Sequence, residues 1–245
     1  MKYLFIGDTH GHKDLGKLKD AWPFLGLNPQ DALIHCGDFG APWIEEEDDT
    51  LRWWQALPIK KIICLGNHEN YGWISRQPVV RRWGGLGHDL GGGLFAPLPG
   101  QVLTLGGKTF WFYPGGLSID FFLRTPGRSV FAEELTENGT AQKALHNLRR
   151  RAPVDYIISH DGPRSHVQER FGFPIGQPPP FYFKHLSQEE GSRTHPGFLL
   201  DRIAPSLYHR WYFGHHHRDD QAGKIRCLWR QMVLEDSRTG ILTEV

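Results

Sequence analysis

Residues 2–11, KYLFIGDTHG, decide the fold: a short run of mostly apolar side chains leads straight into a small, polar turn. A run of this length bounded by Gly7 suits a buried strand, because a helix needs ten or more residues to bury a face. The same grammar returns at 32–40, ALIHCGDFG, and at 61–69, KIICLGNHE. Helical stretches are expected between these runs, one at 13–22 and a second beginning near Trp43. The acidic run 45–49 would then lie in first turns, where carboxylates meet the positive end of the helix dipole. Strand, crossover helix and strand describe a parallel α/β start.

From 84 to 116 the pattern changes to glycine-rich turns around apolar runs at 101–105 and 108–113. Gly106-Gly107 between these runs is a hairpin signal, so this segment is expected to be antiparallel. A helix is predicted over 138–151, with Ala141, Ala144, Leu145 and Leu148 on one face and Arg149, Arg150 and Arg151 at its end. Further strands are expected at 154–159, 207–213, 225–229, 232–235 and 240–243. Residues 162–194, which include QPPPFYF at 177–183, fit neither period and read as an irregular, lid-like excursion. The expectation is one α/β domain spanning 1–245.

Composition excludes several classes. Phe 15, Tyr 7 and Trp 9 set against a net charge of +1 rule out a disordered chain. Near balance of 28 basic and 27 acidic residues leaves no global field toward nucleic acid or an anionic membrane. No apolar stretch approaches the roughly 18 residues of a membrane span. Cys36, Cys64 and Cys227 are odd in number, and two lie inside apolar runs, which points to reduced core thiols and a cytoplasmic location. Fourteen histidines raise the question of metal.

The ends of the apolar runs answer it. Asp8 and His10 follow the first run, Asp38 the second, Asn67 and His68 the third, His160 and Asp161 the run at 154–159, and His215, His216 and His217 the run at 207–213. Open α/β sheets place their sites beyond the carboxyl ends of strands. Carboxylate, imidazole and amide donors without thiolate suit Mn, Fe, Zn, Co or Ni better than an all-oxygen Ca or Mg cage. Alternation along an extended chain would let Asp8 and His10 face the same way, and likewise His215 and His217, with His216 pointing elsewhere. Asp38 is placed to bridge two cations. His35, inside an apolar run, reads as a satisfied core histidine.

The ordered series GDTHG, GDFG, GNHE, SHD and GHHH resembles the calcineurin-like metallophosphoesterase superfamily, and it covers residues 8–217. The resemblance rests on all five in order, since no one of them is specific. It implies a four-layer α/β/β/α sandwich and two divalent transition-metal ions, manganese first. It implies that Asp8, His10 and His217 hold one ion with Asp38, and that Asn67, His160 and His215 hold the other with Asp38. His68 would be the catalytic histidine that stabilises or protonates the leaving oxygen. The superfamily's protein phosphatases carry an Asp-Arg pair shortly after the second motif. Here Phe39-Gly40-Ala41-Pro42 follow Asp38, which turns the reading away from phosphoproteins and leaves open what orients His68.

The function expected is hydrolysis of phosphate esters, with a small phosphodiester or nucleotide as substrate. Arg124 and Arg128, in a Gly/Pro-rich loop, are candidates to grip a second phosphate through forked donors, and His12 lies close enough to contact substrate. The alternatives are a nuclease of the same superfamily, disfavoured by the neutral charge, and a non-catalytic binding scaffold on the same fold. The oligomeric state is left open.

Overall fold

Strand β1 (Lys2–Ile6) is buried from Tyr3 to Ile6, and β2 (Ala32–His35) along its whole length. Continuous apolar runs of this kind belong to strands covered on both faces. The computed structural model describes residues 1–43, 48–172 and 195–245. In it β1, β2 and β3 (Lys60–Ile63) are parallel neighbours, with Phe5 beside Ile34 and Ile34 beside Ile62. A fourth parallel strand, β6 (Leu94–Pro97), pairs with β3, and the antiparallel β5 (Gly85–Asp89) and β4 (Val79–Arg82) extend that edge. At the other edge β13 (Val233–Asp236) and β14 (Leu242–Glu244) run antiparallel, giving the order β14-β13-β1-β2-β3-β6-β5-β4.

The second sheet has the order β11-β12-β10-β9-β8-β7. Its hairpin is the one that Gly106-Gly107 signals: β7 (Val102–Leu105) and β8 (Lys108–Tyr113) are antiparallel. β8, β9 (Val154–Ser159), β10 (Tyr208–Phe213) and β12 (Ile225–Cys227) are parallel, with β11 (Asp220–Ala222) on the edge.

Three apolar layers hold the sheets and helices together. Tyr3, Phe5, Ile34, Ile62 and Phe95 of the first sheet meet Phe110, Phe112, Tyr156, Ile158 and Tyr212 of the second in one buried layer. On the outer face of the first sheet pack α1 (Gly16–Ala21), α2 (Asp49–Ala56) and α3 (Tyr71–Ile74), through Leu18, Trp54 and Ile74. On the outer face of the second pack α4 (Asn138–Arg151), α5 (Arg164–Phe171) and α6 (Pro196–Leu200). Ala141, Ala144, Leu145 and Leu148 form the buried stripe of α4, as their spacing predicts. The result is the expected α/β/β/α sandwich.

Several boundaries differ from the sequence reading. The first helix starts only at Gly16 and passes into a 3-10 turn at Trp22–Phe24, because residues 10–14 are drawn into the turn beside the site. The second starts at Asp49 rather than near Trp43: Asp48 caps it, its side chain accepting from the Leu51 N–H, and Asp49 is its first residue. Of the acidic run, residues 45–47 lie outside the described residues. The excursion at 162–194 is not irregular from its start, since α5 occupies Arg164–Phe171 and ends at Gly172 in the left-handed conformation (φ +66°). Its remainder, 173–194, including the aromatic run, lies outside the described residues. Strands β4, β5 and β6 lie in a stretch whose glycines mask their short apolar runs.

Candidate metal centre

The strand-end residues converge on one edge of the sandwich, though by a different local geometry from the expected one. Asp8 (φ 51°), His10 (φ 45°), Asp38 (φ 53°), His215 (φ 69°) and His217 (φ 49°) have left-handed backbones. Trp83 is the only other non-glycine residue described with positive φ. Extended alternation therefore does not align Asp8 with His10 or His215 with His217. Each pair sits in a turn beyond its strand, and the turns are held in conformations that side chains disfavour. His216 does point elsewhere, its Nε2–H donating to Asp161 Oδ1 at 2.8 Å.

Two groups form. Ligand atoms of Asp8, His10, Asp38 and His217 lie within 4.8 Å of one another, as do those of Asp38, His160 and His215. Asn67 joins the second group through its Oδ1, 2.9 Å from His160 Nε2. The Asp38 carboxylate is common to both: Oδ2 lies 3.2 Å from His10 Nε2 and Oδ1 3.1 Å from His160 Nε2. Asp8 and His160 are fully buried, and Asp38 is 1% exposed.

The donor set fits divalent cations. His10 Nδ1 is held by Asp14 Oδ2 at 2.9 Å and His160 Nδ1 by the Cys36 carbonyl at 2.9 Å. Both partners are acceptors, so each Nδ1 carries the proton and each Nε2 turns inward. There His10 Nε2 meets His217 Nε2 at 3.2 Å, and His160 Nε2 meets the carbonyl oxygen of Asn67 and the carboxylate of Asp38. Acceptors crowded this closely require a positive centre among them, either protons or cations.

Burial opposes a charge on His160, but attraction and hydrogen bonding to Asp38 outweigh it and lift its pKa to about 10. Burial against water pushes Asp8 up to about 6, while His160 and His10 pull the other way. For Asp38 burial again opposes the charge, and the neighbouring His160 and His10 overcome it and hold the carboxylate well below its usual range.

Several supporting residues escaped the sequence reading. Asn67 Nδ2 donates to Ser118 Oγ at 3.0 Å, and Ser118 Oγ donates to the buried Glu134 at 2.5 Å, which aims the amide oxygen inward. Glu69 accepts the backbone N–H groups of Phe39, Gly40 and Gly66, tying the second turn to the third. Lys17 Nζ donates to the carbonyls of Gly7, Asp8 and Trp229. His35 is the satisfied core histidine expected of it: Nδ1 accepts from Gly37 N–H and Nε2 faces Thr9 Oγ1 at 3.0 Å, bracing the first turn against the second. Asp14, four residues after His10, and Glu69, beside His68, carried the only sequence signal among these residues, their adjacency to a motif.

Close approach depends on glycine. A Cβ on Gly66 would lie 2.2 Å from Asp38 Oδ1, and one on Gly37 2.2 Å from His160 Nδ1.

The centre opens into a cavity of about 1250 Å³. His68 lies on its wall, its backbone N–H donating to Asp38 Oδ1 at 2.8 Å. Burial, with a smaller contribution from Arg124, pushes the His68 imidazole down to about 4. Exposed His12 lines the cavity too. Arg124 and Arg128 are not among the described residues on that wall: Arg128 is exposed, and Arg124 turns inward toward His68.

Comparison with known proteins gives the family and the fold. The calcineurin-like phosphoesterase family matches residues 1–219. A solved crystal structure covers 100% of this chain and 98% of its own, at 13% identity and a TM-score of 0.57, which supports the fold alone. A structure described as a novel archaeal phosphodiesterase aligns at 12% identity and a TM-score of 0.42, covering 100% of this chain and 99% of its own. The crystal structure of TT1561 from Thermus thermophilus aligns at 13% identity and a TM-score of 0.49, covering 100% of this chain and 97% of its own. No curated protein matches significantly.

Proposed function

The chain belongs to the calcineurin-like phosphoesterase family, and from that premise we propose a two-metal hydrolase of phosphate esters acting on a small phosphodiester or nucleotide. The observation that carries the reading is the single Asp38 carboxylate shared by two groups of candidate ligands, with His68 beside it. Asp8, His10 and His217 complete one position; Asn67, His160 and His215 complete the other. Two divalent ions so held supply charge neutralisation for the phosphoryl oxygens and activation of water at neutral pH. Manganese is proposed first, with Fe, Zn, Co and Ni as the alternatives that N/O donors of this kind also suit.

The chain's own residues do the rest. Asp38 spans both positions, and the buried carboxylates exclude a phosphate until their charge is neutralised. His68 donates a hydrogen bond to the leaving oxygen through its ring N–H. The cavity supports an organic substrate: it exceeds the usual ~300–1,000 Å³ of a ligand site, and sets Trp43, Leu117 and Ile119 beside His12, Lys13 and Arg164. After Asp38 comes the fully buried Phe39, where an ionic pair for phosphoprotein chemistry has no place. Three buried free thiols are in keeping with the cytoplasm as location, and among the described residues no helix is long and apolar enough to cross a membrane.

The test is hydrolysis of a chromogenic phosphate monoester and diester with Mn²⁺ and with chelator, followed by a panel of cyclic nucleotides, dinucleotides, nucleoside phosphates, phosphopeptides and single-stranded DNA. Metal-dependent turnover with preference for a nucleotide or small diester is expected. Preference for phosphopeptides overturns the substrate reading, and preference for single-stranded DNA promotes the nuclease. Inactivity on every substrate with two metals bound favours the scaffold.

A further inference from the structure

The protein phosphatases of the superfamily carry an Asp-Arg pair just after the second motif, and this chain lacks it there. The fold supplies a charged pair from another place. Asp120 and Arg124 flank a 3-10 turn at Phe121–Leu123, about fifty residues after His68. Arg124 is 8% exposed in its side chain. Its Nε and Nη2 grip the Asp120 carboxylate at 2.9 and 2.8 Å, and its Nη1 reaches the carbonyls of Asn67 and Ser129 at 3.3 Å. Nη2 also meets the His68 ring, 3.0 Å from Nδ1 and in contact with Nε2.

We propose that Arg124, anchored by Asp120, is the positioning residue for His68 in this chain. A guanidinium is planar, permanently charged and donates only, so a ring nitrogen facing it must present its lone pair. Contact with Arg124, whose Nη2 reaches both ring nitrogens, thereby fixes the place of the His68 ring on the cavity wall. The bidentate Asp120 grip holds the fork in one plane, and the bond to the Asn67 carbonyl ties it to the residue preceding His68. A loop arginine whose five donors are engaged in this way has little reach left for a second phosphate, which separates this role from substrate gripping.

This inference rests on the reading of His68 given above, and a double-mutant cycle tests the two separately. Wild type, Arg124→Ala, His68→Ala and the double variant are compared on one chromogenic ester with Mn²⁺, with metal content and melting temperature measured for each. Arg124→Ala is expected to lower kcat about 10- to 100-fold, with KM within about twofold and both ions retained. In the His68→Ala background the same change should alter kcat less than about threefold, because the group it positions is gone. Arg124→Lys keeps the charge without the fork and should recover little. Asp120→Asn, which leaves Arg124 in place, should lower kcat through the same cycle and serves if Arg124→Ala does not fold. An equal loss in both backgrounds, or a raised KM with kcat unchanged, overturns the positioning role. Full activity in His68→Ala overturns the catalytic reading of His68 itself.

Discussion

His160 presents Nε2 to Asn67 Oδ1 at 2.9 Å while its Nδ1 is committed to the Cys36 carbonyl. One imidazole lone pair thus points at one amide lone pair inside a buried pocket, an arrangement that is favourable only with a positive charge at the nitrogen or between the two. The same place suits a cation, and against its burial the attraction of Asp38 lifts the His160 pKa there.

The metal stoichiometry is expected to be two per chain, by elemental analysis after Mn²⁺ loading and desalting. Asp38→Asn should fall below one, because the shared carboxylate serves both groups. Retention of two ions by that variant would contradict the shared role of Asp38.

His68→Ala is expected to keep both ions and lose about 10²- to 10⁴-fold in kcat, the usual range for a proton-transfer group. Steady-state kinetics with parallel metal analysis decides this. A variant that sheds its metals along with its activity would reassign His68 as a ligand.

Metal affinity should rise with pH between 6 and 8. Against its burial, attraction to Asp38 lifts the His160 pKa to about 10, and burial pushes that of Asp8 up to about 6. Loading therefore displaces a proton from His160 throughout this window, and from Asp8 at its acid end, so alkaline conditions favour the loaded form. Calorimetry of Mn²⁺ binding in buffers of different ionisation enthalpy should show net proton release. Proton uptake, or affinity independent of pH, would contradict the titration reading.

Glu134→Gln and Ser118→Ala should weaken metal binding about 10- to 100-fold at the position that includes Asn67, leaving the protein folded. Their hydrogen-bond chain aims the Asn67 oxygen without touching the proposed ion. Competition against a fluorescent chelator measures the change, and unchanged affinity would mean that Asn67 is held without them.

Gly66→Ala should cost about 1–3 kcal/mol of stability by overpacking and lower metal occupancy, since the added carbon meets both Asp38 Oδ1 and the Asp38 backbone nitrogen. Denaturant titration of the metal-free protein and elemental analysis separate these two effects.

The alternating apolar runs and the polar ends of five strands were readable without coordinates, because burial on both faces of a parallel sheet imposes a composition on contiguous residues. Candidate ligands were legible for the same reason: Asp8, Asp38, Asn67, His160 and His215 each stand within a few residues of a strand end. What failed was local geometry. Alternation was the wrong account of Asp8 and His10, since strain at positive φ is stored only when hydrogen bonds from elsewhere, such as His10 N–H to the Asp38 carbonyl and the Asp8 N–H to the Gly37 carbonyl, over-determine the turn.

By itself the sequence determined the parallel α/β start and the hairpin at Gly106-Gly107, the order of the strands that deliver polar groups, and the donor types available at one edge, while the packing of two sheets was implied only by the family resemblance. Tertiary structure alone decided which nitrogen of each histidine turns inward, which glycines admit a neighbour, and that Arg124, far from His68 in the chain, lies against its ring. The division has a physical cause. Burial patterns and turn chemistry are encoded over a few adjacent residues, whereas, the His10–Asp14 contact apart, orientation at the centre depends on partners far off in the chain, such as Glu134 for Ser118 and Cys36 for His160, which meet only after both sheets have packed.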